Sequence, residues 1–114
     1  GGLATVLCEW AEASGLGMEI DESAVFVPSP VASVCDLLGF DPFHLACEGC
    51  MLLAVSPEET RPVLEALRAS RYGKDAAIIG IVTENHPGWV TLNTRFGGSR
   101  ILDMPVGEIL PRIC

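Results

Sequence analysis

The chain has 114 residues, 49% of them hydrophobic and 19% charged, which is enough apolar content for one folded domain and is not typical of a disordered protein. Its formal net charge of -8 argues against nucleic acid or an anionic membrane surface as a partner, because phosphate-binding surfaces are usually basic. No apolar run reaches the length of a membrane span, and the first residues lack the basic flank of a signal peptide, so we expect a cytoplasmic protein.

An amphipathic helix is predicted at the start of the chain. Its apolar stripe follows the spacing i, i+3, i+4, i+7 and consists of Leu3, Val6, Leu7 and Trp10. This helix should end near Gly15 or Gly17, because glycine favours the left-handed backbone that closes a helix. A short strand and a connection follow in "MEIDESAVFV". Ser29 and Pro30 then suit the N-cap and first position of a second helix, which should end at Gly39.

The second half of the chain predicts one more helix and several strands. "MLLAVS", residues 51–56, is a continuous apolar run of strand length. "SPEE" has the pattern of a capping box, but Pro62 would remove a helical hydrogen bond, so this helix kinks there or starts later, capped by Thr60. Strands are predicted in "AAIIGIVTE", "GWVTLNTRF" and "SRILDMP", the first two joined by "NHPG". The mixed order favours an α+β sandwich, with helices covering one face of a mixed sheet.

The cysteines bear on the compartment. They are Cys8, Cys35, Cys47, Cys50 and Cys114. An odd number at irregular spacings excludes a complete set of disulfides within the chain, so we expect a reducing environment. The chain opens on two glycines without a Met, and a helix is predicted to follow at once. We therefore interpret it as a fragment of a longer protein.

Four stretches together give a specific resemblance that spans essentially the whole chain. They are "GGLATVL", "DPFHLACEGCMLLAV", "GKDAAIIGIVTENHPGWV" and "LPRIC". With them the chain resembles the C-terminal domain of the HypE family of hydrogenase expression/formation proteins, in the aminoimidazole ribonucleotide synthetase (PurM-like) superfamily. The ending "PRIC" is the most specific of these signals. The resemblance implies a PurM C-terminal-domain-like α/β sandwich over residues 1–106 and a mobile cysteine-bearing tail over residues 107–114.

The resemblance also implies an activity. In that family the terminal cysteine receives a carbamoyl group from HypF, and ATP drives dehydration of the product to a thiocyanate, which supplies the cyanide ligand of the iron in nickel-iron hydrogenase. HypC and HypD would form the scaffold for cyanide delivery, and the full-length protein would be a homodimer. ATP and magnesium would bind mostly in the absent N-terminal domain. The fragment alone is then expected to bind no cofactor and to be inactive as a carbamoyl dehydratase.

Cys114 is the candidate carrier of the carbamoyl group. A thiol reacts as its thiolate, and the adjacent α-carboxylate disfavours that ionisation. Arg112 can offset this effect, because side chains two apart in an extended segment project to the same side. Pro111 stiffens the approach by fixing its own φ, and the last eight residues could span roughly 26 Å. Judged on the residues alone, an ordinary frayed terminus is the alternative.

Glu48, in "ACEGC", matches the glutamate of the Asn-Glu-Gly-Lys stretch of the family. The resemblance makes it the candidate base that takes protons from the carboxamide nitrogen. The alternative is a solvated loop carboxylate, which is the commoner fate of a single glutamate. Gly49 is expected to supply a special backbone conformation or a close approach at this position.

Cys47 and Cys50 stand where the family usually has Asn and Lys. Such a Cys-x-x-Cys pair is typical of redox-active or metal-binding sites, but a structural zinc site needs four ligands and the chain has no second close pair. We therefore predict no metal and interpret both residues as partly buried, small apolar side chains. A non-catalytic metal or redox module remains one alternative function. Another enzyme of the same ATP-dependent superfamily is the other, and the terminal cysteine argues against it.

The two histidines have structural interpretations. His86 lies in the turn sequence "NHPG", where histidines are usually solvated. His44 lies in an apolar stretch and is interpreted as a core group with satisfied hydrogen bonds. Neither is needed for the chemistry that the resemblance implies.

Overall fold

A computed structural model describes residues 2–47 and 49–103. In these ranges the helices are α1 (Leu3–Ser14), α2 (Ser29–Leu38) and α3 (Thr60–Ala69), and the strands are β1 (Gly17–Asp21), β2 (Gly80–Thr83), β3 (Val90–Asn93) and β4 (Ser99–Ile101). Short 3-10 turns cover Glu22–Ala24, Pro42–His44 and Pro57–Glu59. None of the helices in the described ranges has the length and hydropathy needed to cross a bilayer.

The four strands form one mixed sheet in the order β2-β1-β3-β4. The inner strand β1 runs antiparallel to β2 and parallel to the other inner strand, β3, while β4 runs antiparallel to β3. Met18 lies opposite Val90, and Ile20 lies opposite Leu92. Because side chains two apart in a strand point to the same face, these four apolar residues share one face of the sheet. The turn "NHPG" connects β2 to β3, but the two strands are not neighbours, since β1 lies between them.

The hydrophobic core lies on that face and is covered by α1. The helix buries one side, made of Ala4, Leu7 and Ala11. Phe43 from the turn Pro42–His44 and Leu102 just after β4 complete the core. The opposite face of the sheet carries Ile81 and Ile101, which are both exposed. The predicted α+β arrangement, with helical cover on one face of a mixed sheet, is therefore confirmed.

Glycines close the first two helices as predicted. Gly15 has φ 69° and donates its N–H to the carbonyl oxygen of Ala11, and Gly39 closes α2 with φ 73°. The second helix begins one residue earlier than predicted, because Ser29 is already helical and Pro28 is the N-cap.

Pro62 lies in the first turn of α3, where a backbone N–H has no acceptor within the helix, so a proline removes nothing there. The helix starts at Thr60, after the 3-10 turn Pro57–Glu59, as one of the two predicted options had it. Thr60 is not the cap, however, because Glu59 occupies the N-cap position. The Thr60 hydroxyl instead donates to the carbonyl oxygen of Ser56 at 2.9 Å.

The strand predicted for residues 51–56 is wrong, because this segment has no regular secondary structure and is not part of the sheet. A continuous apolar run is typical of a strand covered on both faces. Here Leu52 is half-buried against the core, whereas Met51, Leu53 and Val55 are exposed. The prediction failed because an apolar sequence does not show whether other layers of the protein cover the segment, and residues 51–56 are mostly uncovered.

Candidate functional site

Most of the predicted site residues lie outside the described ranges. These are Glu48, Pro111, Arg112 and Cys114. Gly49 is described and has φ 88°, a left-handed backbone conformation that favours glycine. Its role at the site stays a prediction. The structure describes the residues next to these in the sequence, namely residues 41–47, residues 49–50 and the chain that leads to residue 103.

The last described residues are tied to the turn that precedes Glu48 in the sequence. Arg100 on β4 donates from Nη2 to Oδ2 of Asp41 at 2.9 Å. Three residues further along the chain, the carbonyl oxygen of Asp103 lies 3.1 Å from Nε2 of His44, which donates to it. The point from which the C-terminal segment leaves the sheet is thus fixed beside the turn Pro42–His44.

Asp41 joins this turn to the sheet through both of its carboxylate oxygens. Its Oδ1 accepts the backbone N–H of Phe43 at 3.0 Å and so caps the 3-10 turn. Its Oδ2 accepts the bond from Arg100 and lies 3.4 Å from Nδ1 of His44. Two kinds of contact therefore stabilise the turn: Phe43 packs into the core, and the Asp41 carboxylate caps the turn and binds Arg100.

Cys8 on α1 adds a third tie near the same point. Its Sγ donates to the carbonyl oxygen of Leu102 at 3.2 Å. Burial raises the pKa of the Cys8 thiol, and the negative charge of Asp103 raises it further. The thiol therefore stays protonated as a donor at neutral pH. Cys8 holds the chain before residue 103 and is a poor nucleophile.

Cys47 and Cys50 lie in the loop that follows this turn. Both residues are exposed, so the interpretation of them as partly buried apolar side chains is wrong. The Cys47 thiol donates to Sγ of Cys50, with 3.1 Å between the two sulfur atoms. The Cys-x-x-Cys spacing was the sequence signal for this contact. The frequent burial of free cysteines suggested partly buried side chains instead, but the loop leaves both residues exposed.

The residue patterns did not indicate the roles of Asp41, His44 and Arg100. "DPFH" carries a local signal, because an acidic residue before proline suits the cap of a short helical turn. The pairing of Asp41 with Arg100 joins residues far apart in the sequence, so no local pattern indicated it. His44 was interpreted as a core group, but it is half-buried and bonds the chain at Asp103. His86 lies in the predicted turn, with φ 51°.

Two open cavities lie elsewhere on the described surface. The larger has a volume of about 490 Å³ and is lined in part by Arg68, Lys74 and Arg95. The smaller, of about 370 Å³, is an apolar groove along α2. Neither cavity includes the two loop cysteines or Asp103. Within residues 2–47 and 49–103, no three His, Cys, Asp or Glu side chains are grouped closely enough to hold a metal ion.

Comparison with known proteins finds one matching family and several similar proteins that share a name. Residues 1–92 match the family described as AIR synthase related protein, C-terminal domain. Carbamoyl dehydratase HypE of Rhodobacter capsulatus is 44% identical over 114 residues, which is 100% of this chain and 34% of that protein. Carbamoyl dehydratase HypE of Bradyrhizobium diazoefficiens is 47% identical over the same length, which is 33% of that protein. The chain spans about a third of the length of the curated relatives it matches.

Solved structures show the same fold. The crystal structure of Escherichia coli HypE aligns with a TM-score of 0.91 at 46% identity, over 100% of this chain and 35% of that one. A HypE–HypF complex aligns with a TM-score of 0.86 at 42% identity, over 92% of this chain and 34% of that one. A HypE structure in complex with ATP aligns with a TM-score of 0.86 at 40% identity, over 100% of this chain and 35% of that one.

Proposed function

The chain belongs to the family of AIR synthase related proteins, as a C-terminal domain, and from this we propose that it is the C-terminal third of an ATP-dependent carbamoyl dehydratase of the HypE type. The observation that supports this most directly is the 44% and 47% identity to two carbamoyl dehydratases in alignments that cover all 114 residues. The full-length protein would then act in the maturation of nickel-iron hydrogenase, and the 114-residue chain alone would be inactive as a dehydratase.

In this proposal Cys114 is the carbamoyl acceptor, and residues 107–114 form the arm that presents it. The anchoring of Asp103 beside His44 supports the idea, because it gives the arm a defined starting point. Residues 104–114 set a maximal reach of roughly 36 Å when fully extended. That distance is enough for one thiol to visit two active sites in turn. Pro111 would stiffen the arm next to the thiol, and the positive charge of Arg112 would stabilise the thiolate.

The chemistry needs one transfer and one dehydration. The Cys114 thiol loses its proton, and its sulfur attacks the carbamoyl carbon supplied by HypF. The bond from that carbon to its carrier breaks, the carrier leaves with the bonding electrons, and the product is a thiocarbamate, S–C(=O)NH₂. The γ-phosphate of ATP is then transferred to the carboxamide oxygen, ADP leaves, and one proton is lost from nitrogen. When the C–O bond breaks, phosphate leaves with its bonding electrons and the second N–H proton goes to a base, which leaves the thiocyanate S–C≡N.

Glu48 is the proposed base for these protons. It comes four residues after His44 in the sequence, and His44 belongs to the turn that Asp41 caps and that holds Asp103. The carrier arm and the proposed base therefore start from neighbouring points of the fold. A carboxylate within hydrogen-bond distance of the amide nitrogen would suit this step.

We further propose HypF as the carbamoyl donor, HypC and HypD as the scaffold for cyanide delivery, and a homodimer as the form of the full-length protein. One solved relative was crystallised as a HypE–HypF complex and another in complex with ATP, which supports the first partner and the nucleotide. ATP and magnesium would bind mostly in the part of the protein outside this chain. The described residues offer no cluster of three or more metal-ligating side chains.

Intact mass and peptide mapping of the full-length protein test the proposal. After incubation with HypF and carbamoyl phosphate we expect a carbamoyl adduct on Cys114, which becomes about 18 Da lighter when ATP drives the loss of water. Cys114→Ala should carry neither adduct. An unmodified Cys114, with HypF shown to be active on another partner, would overturn the carrier role.

The role of Glu48 has a separate test in the same assay. We expect Glu48→Gln to accumulate the carbamoyl adduct without the later loss of 18 Da, because the amide side chain cannot accept the protons. Glu58→Gln is the matched control, since Glu58 is an exposed carboxylate in the turn Pro57–Glu59. Normal dehydration by Glu48→Gln would exclude Glu48 as the base and leave the carrier role of Cys114 untouched.

A further inference from the structure

Cys47 and Cys50 are placed to react with each other. Their Sγ atoms are 3.1 Å apart, and both side chains are exposed to solvent and to small reagents. We propose that the two thiols are a redox-modification site, in which they form a reversible intrachain disulfide by exchange with small-molecule disulfides. This goes beyond the proposed function, because it depends only on the two thiols and not on the carrier cysteine.

The backbone between the two cysteines favours this contact. Gly49 lies within the loop at φ 88°, a conformation that lets the chain reverse direction in a short distance. A Cβ added at Gly49 would meet no atom within 4 Å, so the requirement for glycine is torsional and not steric. Only two residues separate the thiols, and the loop already holds their sulfur atoms 3.1 Å apart, so bond formation needs little further ordering of the chain.

The other described cysteines differ from this pair. Cys35 is 2% exposed on α2, so reagents in solution do not reach its sulfur. Cys8 donates to the carbonyl oxygen of Leu102, and its pKa is raised by burial and by the charge of Asp103. The thiolate is the reactive form of cysteine, and it must be reached by the reagent. Among the described cysteines, Cys35 is buried and Cys8 is held as the thiol, so Cys47 and Cys50 are the ones open to exchange.

The exchange proceeds in two balanced steps. The thiolate of one cysteine attacks a sulfur of a small-molecule disulfide such as oxidised glutathione, forming a mixed disulfide and expelling one small thiolate. The second cysteine, as its thiolate, attacks the protein sulfur of the mixed disulfide, forming the Cys47–Cys50 bond and expelling the second small thiolate. The pair loses two protons and two electrons, and the small disulfide is reduced to two thiols.

The bridge would have a local consequence for the chain. Residue 48 lies between the two cysteines, so a covalent link constrains the backbone on both sides of it. The redox state of the pair would therefore change how freely the backbone can move around Glu48, the proposed base. No repacking of the core is needed, because both cysteines are exposed.

Thiol mapping of the full-length protein tests the proposal. The protein, in a Cys114→Ala background that removes the tail thiol, is equilibrated in mixtures of reduced and oxidised glutathione, quenched in acid and alkylated. With rising oxidised glutathione we expect the peptide that contains Cys47 and Cys50 to resist alkylation and to become about 2 Da lighter than the reduced peptide. Dithiothreitol should restore both thiols.

Single substitutions then show which sulfur atoms are bonded. Cys47→Ser and Cys50→Ser should each lose the 2 Da change and carry one glutathione, about 305 Da, on the remaining cysteine. Cys8→Ser, the matched control, should keep the change. Two alkylatable thiols in excess oxidised glutathione, or glutathione on both cysteines of the unsubstituted pair, would overturn the proposal. Zinc retained by the reduced pair in a form that blocks oxidation would also overturn it and indicate a metal site.

Discussion

The centre of the sheet and the loop after the turn Pro42–His44 are both rich in apolar side chains, yet they are held in different ways. In the centre, Val90 and Leu92 are almost completely buried under α1. In the loop, Met51 is 84% exposed, and the two thiols before it face solvent. The centre is stabilised by packing within this chain, whereas the loop is positioned by a few directed bonds at its base. We therefore expect substitutions in the centre to change the stability of the fold, and substitutions in the loop to change the reactivity of the exposed thiols.

The largest difference in unfolding free energy is expected between two truncations, one of an apolar side chain in the centre of the sheet and one in the loop. Leu92→Ala removes a side chain that is 0% exposed, so it should lower the free energy of unfolding by about 2–5 kcal/mol, through lost burial and the cavity left behind. Met51→Ala should change it by less than about 0.5 kcal/mol. Urea unfolding of both variants checks this contrast. Similar losses in both would show that the loop is packed as firmly as the centre.

Asp41 tests the directed bonds at the base of the loop. Asp41→Ala removes the cap on Phe43 and the bond to Arg100, so we expect a loss of about 1–2 kcal/mol of unfolding free energy. Asp41→Asn keeps an oxygen that can accept from the Phe43 N–H and should cost less. The same urea unfolding experiment compares them. An equal cost for both would mean that the charge, and not the cap, holds the turn.

Gly49 tests whether the loop backbone presents the two thiols. Gly49→Ala places a side chain at φ 88°, which costs about 1 kcal/mol. The disulfide would hold the loop in this conformation, whereas the open thiol loop can relax out of it, so we expect the Cys47–Cys50 disulfide equilibrium to shift about fivefold towards the thiols. Gly98→Ala is the control in another loop, where the added Cβ meets only the Thr94 hydroxyl oxygen, at 3.4 Å. Titration with glutathione measures both. An unchanged equilibrium in Gly49→Ala would show that the loop reaches the bonded form without this torsion.

The smallest effect concerns Cys8 and appears only in alkaline solution. Because the pKa of Cys8 is raised in the folded chain, the folded state holds this proton more tightly than the unfolded state does. The resulting stabilisation is complete below the ordinary thiol pKa of about 8.5 and is lost as the pH rises through the raised pKa. Cys8→Ser should make the unfolding temperature less dependent on pH in this range. A slope equal to that of the unsubstituted chain would contradict the expected linkage.

The parts of the fold that depend on local chemistry could be predicted. Gly15 and Gly39 end their helices because only glycine adopts the left-handed cap without strain, and that requirement is visible in the sequence. Residues 51–56 could not be assigned correctly, because an apolar run does not show whether another layer covers it. The bond between Asp41 and Arg100 joins distant parts of the chain, so no local pattern predicts it. The exposure of Cys47 and Cys50 depends on where the turn Pro42–His44 lies on the sheet, which is also set by distant contacts.

The sheet order has a consequence for synthesis on the ribosome. Met18 pairs with Val90, a partner made roughly seventy residues later, and β2 on its other side is also made late. While the intervening chain is being translated, both edges of β1 lack the strands that will cover them. Pairings this distant in sequence form slowly, and bare strand edges invite association with other chains. Of the described strands, β1 therefore stays exposed to such association until β2 and β3 have been made.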